Sequence, residues 1–301
     1  MYPRLSGRIP AVVTPLKSDH TLDDIAFEKL IEKIMASHAQ GVMVLGSCGE
    51  GPLFSTETIK EVVACATKAV GPKGIVVAGS TALTRREVLI NCEAAKEAGA
   101  YATLNIAPFY FSPTPYDYYQ HFFWLAEHSP LPIMIYNMPS VTQTAVPFDV
   151  VKELSRHPNV VGMKDSSGNF TYFQKLAACF RDDPQFSLFM GKGTLIAPAL
   201  CCGAAGTMTP LSNLYPEMEE TVYQAIQHGD LKQAFEVQDK IVKVLEILNA
   251  GRDSLGSVMK GILSLGQKDP LCSPPEVFRL SNEELSEKSN RITEIIGGET
   301  L

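Results

Sequence analysis

The chain has 301 residues, of which 45% are hydrophobic, and its formal net charge at pH 7 is −7. This length and apolar content are sufficient for one large domain with a single core. The acidic balance offers no basic surface to nucleic acid or to anionic membranes, so we expect neither as a partner.

The sequence also lacks the features of a membrane-inserted or disulfide-rich protein. No stretch approaches the roughly 20 apolar residues of a membrane span, and the first residues lack the charged-then-apolar pattern of a signal peptide. The seven cysteines are an odd number without Cys-x-x-Cys spacing, and the six histidines show no paired metal-ligand spacing. We therefore expect a cytoplasmic protein without a disulfide scaffold or a zinc site.

Short apolar runs alternate along the chain with segments of helical periodicity. The runs typical of buried strands are Ile9–Thr14, Gly41–Leu45, Gly74–Ala78, Ala102–Ala107, Pro132–Tyr136, Val160–Lys164, Phe186–Met190 and Gly206–Thr209. The amphipathic segments that follow them are Asp23–Ala36, Thr56–Val70, Arg85–Ala98, Pro115–His128, Pro147–Arg156, Phe170–Phe180, Leu195–Cys202 and Tyr215–His228. Eight strand-helix units, spaced by about 30 residues, predict an α/β fold of the (β/α)8 TIM barrel type; a doubly wound open sheet is the competing architecture.

Further helices follow the eighth unit and do not fit its repeat. They cover Leu231–Asn249, Leu255–Leu265 and Ser281–Ile296, after a break at Gly229 and Asp230. The sequence thus predicts a barrel over residues 1–228 and a C-terminal helical extension over residues 229–301. The extension is expected to pack against the barrel or to form a subunit contact.

A single lysine, Lys164, ends the sixth apolar run. A buried strand end is unusual for lysine, because an ammonium group loses its hydration there. Desolvation favours the neutral amine, which can attack a carbonyl group. Lys164 is therefore either a Schiff-base nucleophile or a surface lysine whose charge reaches water, and the strand pattern alone favours the surface lysine.

Active sites of (β/α)8 barrels lie at the carboxyl ends of the strands, so the polar residues after each run should meet at one mouth. Those residues are Thr14, Gly46–Glu50, Tyr110, Tyr136, Asn137, Lys164, Gly191–Gly193 and Met208 with Thr209. The set suits amine catalysis on a carbonyl compound. The lysine provides the nucleophile, a tyrosine can move protons, and N–H groups of the glycine turns can bind a carboxylate.

Several of these residues also have a simpler interpretation. Tyr110 and Tyr136 could be aromatic residues at the rim with their hydroxyls in water. The segment Gly191–Gly193 could bind phosphate, although a single Gly-x-Gly is a weak signal. Cys48 is a poor candidate nucleophile because no histidine in the set could activate it, and Glu50 is expected to stabilise its turn.

Three segments of this set resemble the signatures of the dihydrodipicolinate synthase / N-acetylneuraminate lyase family. They are Gly46–Glu50 (Gly-Ser-Cys-Gly-Glu), Tyr136–Ser140 (Tyr-Asn-Met-Pro-Ser) and Gly162–Gly168 (Gly-Met-Lys-Asp-Ser-Ser-Gly), in the family's order and spacing. The resemblance covers essentially the whole chain. It implies a Schiff-base class I aldolase or lyase that acts on a small-molecule 2-oxo acid without a cofactor, and a homo-oligomer, either a tetramer or a dimer.

The resemblance also implies a role for each matching residue. Lys164 would form an imine with the 2-oxo carbon of pyruvate or of a pyruvate-derived moiety. Tyr136 would relay protons, and Ser47 would link it to Tyr110, which in this family is provided by a neighbouring subunit. A protonated imine is an electron sink, so it stabilises the carbanion that forms when a carbon-carbon bond breaks.

Three more positions match residues that bind the substrate in the family. Cys48 and Gly191 fall where the carboxylate of the 2-oxo acid is held, and Met208 matches a position that lines the lysine. Cys48 replaces the usual threonine. It removes a hydroxyl donor but keeps the backbone N–H.

The departures from the family pattern concern the substrate. Val141 stands where the synthase proper has an arginine for its second substrate, and an apolar side chain cannot replace a bidentate guanidinium. Gly193 and Thr194 stand where sialic acid lyases have acidic residues. We therefore expect cleavage of a 2-keto-3-deoxy sugar acid or a 4-hydroxy-2-oxo acid to pyruvate and an aldehyde.

Other functions remain compatible with the sequence. The first is dihydrodipicolinate synthase, which condenses pyruvate with aspartate semialdehyde. In this chain a residue other than the usual arginine would then bind the carboxylate of the second substrate. The second is a hydratase or dehydratase that uses the same imine. From a different class, the chain could be a catalytically silent barrel that binds a 2-oxo acid, although such a binder has no use for a neutral amine.

Overall fold

The computed structural model describes residues 4–251 and 254–297. Its strands are β1 (Gly7–Arg8), β2 (Gly41–Val44), β3 (Ile75–Gly79), β4 (Ala102–Ile106), β5 (Ile133–Asn137), β6 (Val160–Asp165), β7 (Ser187–Met190) and β8 (Gly206–Thr207). They form one parallel sheet in the order β1-β8-β7-β6-β5-β4-β3-β2. A parallel bridge between Ala11 and Met43 joins the segment after β1 to β2 and completes the ring. The predicted (β/α)8 barrel is confirmed, and the open sheet is wrong.

The first strand lies before the predicted run: β1 covers Gly7–Arg8, whereas the sequence predicted a strand over Ile9–Thr14. The ladder of β1 ends before Pro10, whose nitrogen carries no hydrogen to donate. The chain stays extended beyond it, since the N–H of Ala11 donates to Thr209 O (3.0 Å) and that of Val12 to Met43 O (2.9 Å). Pro10 itself accepts from the N–H of Met43 (2.8 Å), so the barrel closes around an irregular segment.

The helices alternate with the strands as the sequence predicts. They are α1 (Asp24–Ala36), α2 (Thr56–Val70), α3 (Arg85–Glu97), α4 (Pro115–His128), α5 (Pro139–Thr142), α6 (Phe148–Leu154), α7 (Phe170–Phe180), α8 (Ile196–Cys201), α9 (Pro216–Gln227), α10 (Leu231–Asn249), α11 (Leu255–Leu263) and α12 (Asn282–Ile296). Capping boxes begin α3, α4 and α12, where a Thr or Ser and an acid three residues later satisfy each other's backbone N–H groups. The short helix α5 was not predicted, because a single helical turn has no periodicity to detect.

Apolar side chains pack on both faces of the sheet, as expected for parallel strands. The inner face fills the barrel with residues such as Met43, Val77, Leu104, Met134 and Phe189. The outer face packs against the surrounding helices in two larger clusters. None of the helices in the described ranges is both long and apolar enough to cross a membrane.

The helix α11 holds the turn that follows β2. Gly256 of this helix lies so close to the turn that a Cβ there would be 2.2 Å from the carbonyl oxygen of Cys48. The Nζ of Lys260 donates to Glu50 Oε2 (2.6 Å) and to the carbonyl oxygen of Thr14 (3.1 Å). Both charged side chains are buried, and Glu50 adopts a left-handed backbone conformation with φ of 56°.

The ion pair therefore joins the helices after the barrel to the carboxyl ends of β1 and β2. Burial lowers the pKa of Lys260, while the Glu50 carboxylate acts in the opposite direction. The predicted boundary at residues 228 and 229 falls between α9 and α10, at Gly229 with φ of +77°. Division of the chain into a barrel and a separate extension stays a prediction, and its outermost residues, 1–3 and 298–301, lie outside the described ranges.

We predict that Lys260→Met lowers the free energy of unfolding by about 3–5 kcal/mol, because it leaves the Glu50 carboxylate buried without its partner. Urea denaturation measures this loss. Lys60→Met is a matched control, since the Lys60–Glu97 pair has the same 2.6 Å separation but lies in solvent, and its removal should leave stability almost unchanged.

The double variant Glu50→Gln/Lys260→Met tests the cause, since it removes both charges and should recover part of the lost stability. A loss below about 1 kcal/mol in Lys260→Met would contradict the assignment of this pair as a buried support.

Candidate active site

The pairing of the central strands brings Lys164 beside Tyr136. Tyr136 of β5, Lys164 of β6 and Phe189 of β7 are register partners across three adjacent strands. Side chains at one level of adjacent strands share a face, and all three project into the barrel. Lys164 is 4% exposed, and its Nζ lies 4.6 Å from the centroid of the Tyr136 ring. The surface-lysine interpretation is therefore wrong.

The carboxylate that follows Lys164 in sequence points away from it. Asp165 faces outward, where its Oδ1 accepts from Asn137 Nδ2 (2.7 Å) and its Oδ2 from the Ser167 hydroxyl (3.0 Å). Burial raises the pKa of Asp165, and the hydrogen bonds from Asn137 and Ser167 oppose this rise. Within the described residues Lys164 has no ion-pair partner. The amine of Lys164 is thus almost fully buried, and no carboxylate of the described residues lies beside it as an ion-pair partner.

Lys164 lines a cavity of about 310 Å³ at the carboxyl ends of the strands. The cavity is lined by Ala11, Ser47, Cys48, Tyr136, Met138, Ser140, Lys164, Ser166, Gly191, Lys192, Gly193, Thr194, Pro210, Leu245, Asn249, Ser254, Leu255 and Gly256. This volume is at the lower end of the range for small-molecule sites.

The Tyr136 hydroxyl has two neighbours in this cavity. It lies 3.4 Å from Ser47 Oγ and donates to the Met138 sulfur at 2.7 Å. Ser47 Oγ also lies 3.2 Å from that sulfur. Because a thioether is a weak acceptor, the serine hydroxyl is the better partner for exchanging a proton with Tyr136.

The turn that contains Ser47 and Cys48 can bind an anion through its backbone. In the described part of the chain, no hydrogen bond engages the N–H of either residue. Burial and the nearby Glu50 carboxylate raise the pKa of the Cys48 thiol to about 12. Cys48 is therefore a neutral thiol at physiological pH and not a nucleophile.

Glycine is required at position 191 for steric reasons. A Cβ there would lie 2.1 Å from Ser166 Oγ and 2.9 Å from Lys164 Cε. Its N–H already donates to the carbonyl oxygen of Asp165 (2.7 Å), which fixes the backbone next to Lys164. Gly191 thus leaves space beside the amine rather than a free N–H donor.

The structure gathers five of the seven site residues that the sequence singled out: Lys164, Tyr136, Ser47, Cys48 and Gly191 all line the cavity. Met208 does not line it. It is fully buried among the apolar side chains inside the barrel, in the same cluster as Tyr136. Its main effect on the site is therefore through packing.

Tyr110 lies outside this cavity. It is 77% exposed and lines a second cavity of about 600 Å³, together with Leu83 and Phe111, which are 72% and 79% exposed. Within one subunit, no contact joins Tyr110 to Ser47 or Tyr136 among the described residues. The three residues to which the resemblance assigns proton transfer are therefore not all in contact within one chain.

Several residues that line the cavity were not predicted from the sequence. Met138, Ser140 and Ser166 lie within the recognised motifs but were given no role, and Lys192 was considered only as part of a weak phosphate signal. The residues from α10 and α11 could not be found, because they reach the cavity only through tertiary packing. No group of three or more His, Cys, Asp or Glu side chains in the described ranges is placed to hold a metal ion.

Comparison with known proteins identifies the relatives of this chain. The 4-hydroxy-tetrahydrodipicolinate synthase of Methanosphaerula palustris is 30% identical over 293 residues, which cover 96% of this chain and 98% of the relative. The enzyme of the same name from Methanoculleus marisnigri is 33% identical over 76% of this chain and 78% of its own length.

Solved structures show the same fold. The dihydrodipicolinate synthase of Bacteroides thetaiotaomicron has a TM-score of 0.88 and 26% identity, with 99% of both chains covered. The E. coli K12 prophage protein YagE, solved in complex with pyruvate, has a TM-score of 0.90 at 22% identity and covers 97% of this chain and 99% of its own. The model of the dihydrodipicolinate synthetase family matches residues 4–295, so the chain belongs to the dihydrodipicolinate synthetase family.

Proposed function

We propose that this protein is a class I aldolase, a lyase that cleaves a 2-oxo acid to pyruvate and an aldehyde through an imine on Lys164. The observation that carries the proposal is the position of this amine. It is 4% exposed, lies 4.6 Å from the Tyr136 ring, and faces a cavity that a small substrate can enter. Membership of the family, which includes synthases and aldolases, supports it.

The first step is formation of the imine. The neutral amine of Lys164 attacks the 2-oxo carbon to give a carbinolamine. The Tyr136 hydroxyl then donates a proton to the carbinolamine oxygen, so that water leaves, a protonated imine remains and Tyr136 becomes a phenolate. The substrate carboxylate would be held by the free N–H groups of Ser47 and Cys48, with the missing side chain of Gly191 leaving room for it. This places the ketone carbon next to the amine.

The second step is cleavage of the bond between C3 and C4. Tyr136, acting as base, removes the proton of the C4 hydroxyl, and the electrons of the breaking bond pass into the imine to give an enamine. The aldehyde leaves, the enamine takes a proton at C3, and water hydrolyses the imine to release pyruvate. Condensation follows the same steps in reverse.

We propose that Ser47 and Tyr110 move protons between Tyr136 and the solvent. The Ser47 hydroxyl lies 3.4 Å from the Tyr136 hydroxyl. Tyr110 would have to come from a neighbouring subunit, because within its own subunit it is exposed on the surface and does not reach Ser47. The active form would then be a homo-oligomer, a tetramer or a dimer, in the cytoplasm. The neighbouring apolar side chains of Leu83 and Phe111 fit such a contact.

A 4-hydroxy-2-oxo acid or a 2-keto-3-deoxy sugar acid is the substrate class that we favour. Synthase activity is the second candidate, because the curated relatives are named 4-hydroxy-tetrahydrodipicolinate synthases. Val141 disfavours it, since this residue is 43% exposed, does not line the cavity and cannot bind a carboxylate.

We predict that incubation with pyruvate and borohydride attaches one reduced pyruvyl group to the protein at Lys164, because reduction traps the imine. Intact-mass measurement and peptide mapping check this, and Lys164→Met should remain unlabelled. Lys192, which lines the same cavity, provides an internal control that should carry no label. Labelling elsewhere, or none, would reject the imine mechanism and favour a silent binding protein.

We predict that Tyr110→Phe lowers kcat by about 10²-fold while pyruvate labelling of Lys164 is retained, because the phenol acts in proton transfer and not in imine formation. Tyr116→Phe is the matched control, since this tyrosine is 69% exposed and has no place in the relay. Equal losses of turnover and labelling would contradict the role of Tyr110.

We predict slow or undetectable condensation of pyruvate with aspartate semialdehyde, because Val141 cannot pair with the second carboxylate. A coupled assay for the cyclic product measures the rate. Val141→Arg should raise it, and Val141→Leu is the matched control of similar bulk without charge. Condensation by the unaltered protein at an ordinary enzymatic rate, roughly 1 s⁻¹ or more, would establish the synthase instead.

A further inference from the structure

One charged residue that lines the cavity has no role in the proposed mechanism. Its only charged lining residues within the described ranges are Lys164 and Lys192, and no acidic side chain of those ranges lines it. Lys164 is committed to the ketone. Lys192 is exposed where it lines the cavity, and no carboxylate among the described residues lies in the lining to pair with it.

The backbone on both sides of Lys192 is fixed by close packing. Gly191 lies against Ser166 and Lys164, as described above. On the other side, a Cβ on Gly193 would lie 2.6 Å from Leu245 Cδ1, and the carbonyl oxygen of Gly193 accepts from Gln238 Nε2 (3.0 Å). The same Gln238 accepts from the N–H of Ala197 (2.8 Å). The stem of Lys192 thus starts from a fixed point at the cavity wall.

The side chain of Lys192 has no partner of its own. Its Cε lies 4.0 Å from where a Cβ on Gly168 would stand, so the absence of a side chain at Gly168 leaves room for it. No hydrogen bond or ion pair to its Nζ occurs among the described residues. The lining of the same cavity also includes four uncharged polar side chains: Ser140, Ser166, Thr194 and Asn249.

We propose that Lys192 binds a second anionic group of the substrate, carried on the half that leaves as the aldehyde. This inference rests on the proposed function and specifies its substrate class: a 2-oxo acid with a terminal carboxylate or phosphate at the end away from the ketone. The hydroxyls and the amide of the wall donate additional hydrogen bonds to such a group.

The experiment compares two matched pairs of substrates by pyruvate release. The first pair is 4-hydroxy-2-oxoglutarate and 4-hydroxy-2-oxopentanoate, which differ in a terminal carboxylate. The second is 2-keto-3-deoxy-6-phosphogluconate and 2-keto-3-deoxygluconate, which differ in a phosphate. We expect the protein to prefer, in at least one pair, the member that carries the second anionic group. The pair in which this preference occurs identifies whether carboxylate or phosphate is recognised.

In Lys192→Met, kcat/KM for the preferred substrate with the second anionic group should fall about tenfold. The value for the paired substrate without that group should change less than about twofold. Lys192→Arg keeps the charge and should retain most of the preference. Lys232→Met removes an exposed lysine of α10 that does not line the cavity, and it should change neither value.

Two outcomes would overturn the role of Lys192: no preference for the second anionic group in either pair, or an unchanged ratio between the two members of a pair in Lys192→Met. Borohydride labelling with pyruvate separates this failure from failure of the mechanism. Normal labelling of Lys164 together with an unchanged ratio rejects only the role of Lys192. Absence of labelling in the unaltered protein rejects the proposed function itself.

Discussion

Parallel pairing between β5 and β6 sets the geometry on which the candidate site depends. The register places Tyr136 directly beside Lys164 and Asn137 directly beside Asp165. Because side chains alternate between the two faces of a strand, the first pair enters the barrel and the second leaves it. A shift of one residue would bury the carboxylate inside the barrel and turn the amine outward. The hydrogen bond from Asn137 to Asp165 joins the two outward side chains and so stabilises this register.

A second constraint comes from outside the barrel. The turn from Ser47 to Glu50 carries the hydroxyl next to Tyr136 and the free N–H groups, yet its backbone is held by Gly256 and Lys260 of α11. The buried pair between Lys260 and Glu50 costs desolvation energy, and its geometry fixes a turn with a left-handed residue. The helices after the eighth unit are thus part of the wall of the site.

Much of this arrangement could be predicted from the sequence, because it is encoded locally. Buried parallel strands read as continuous apolar runs, and a lysine at the end of one is recognisable. Met208 shows the limit: its position after β8 was right, but its side chain lies in the core and not on the cavity wall. The residues Leu245, Asn249 and Leu255 reach the cavity through packing of α10 and α11. No local pattern in those helices distinguishes such residues from ordinary helix positions.

The dependence of the cavity wall on α10 and α11 affects how such a protein can diverge. Lys164 and Tyr136 lie on two central strands that are each paired on both sides, so the sheet sets their positions. Asn249 and Leu255 project from helices outside the ring of strands, and replacing them changes the shape of the pocket without touching the reactive atoms. Substitutions in the last quarter of the chain can therefore reshape the pocket while Lys164 and Tyr136 keep their places, which is one route by which a barrel changes the molecules that it accepts.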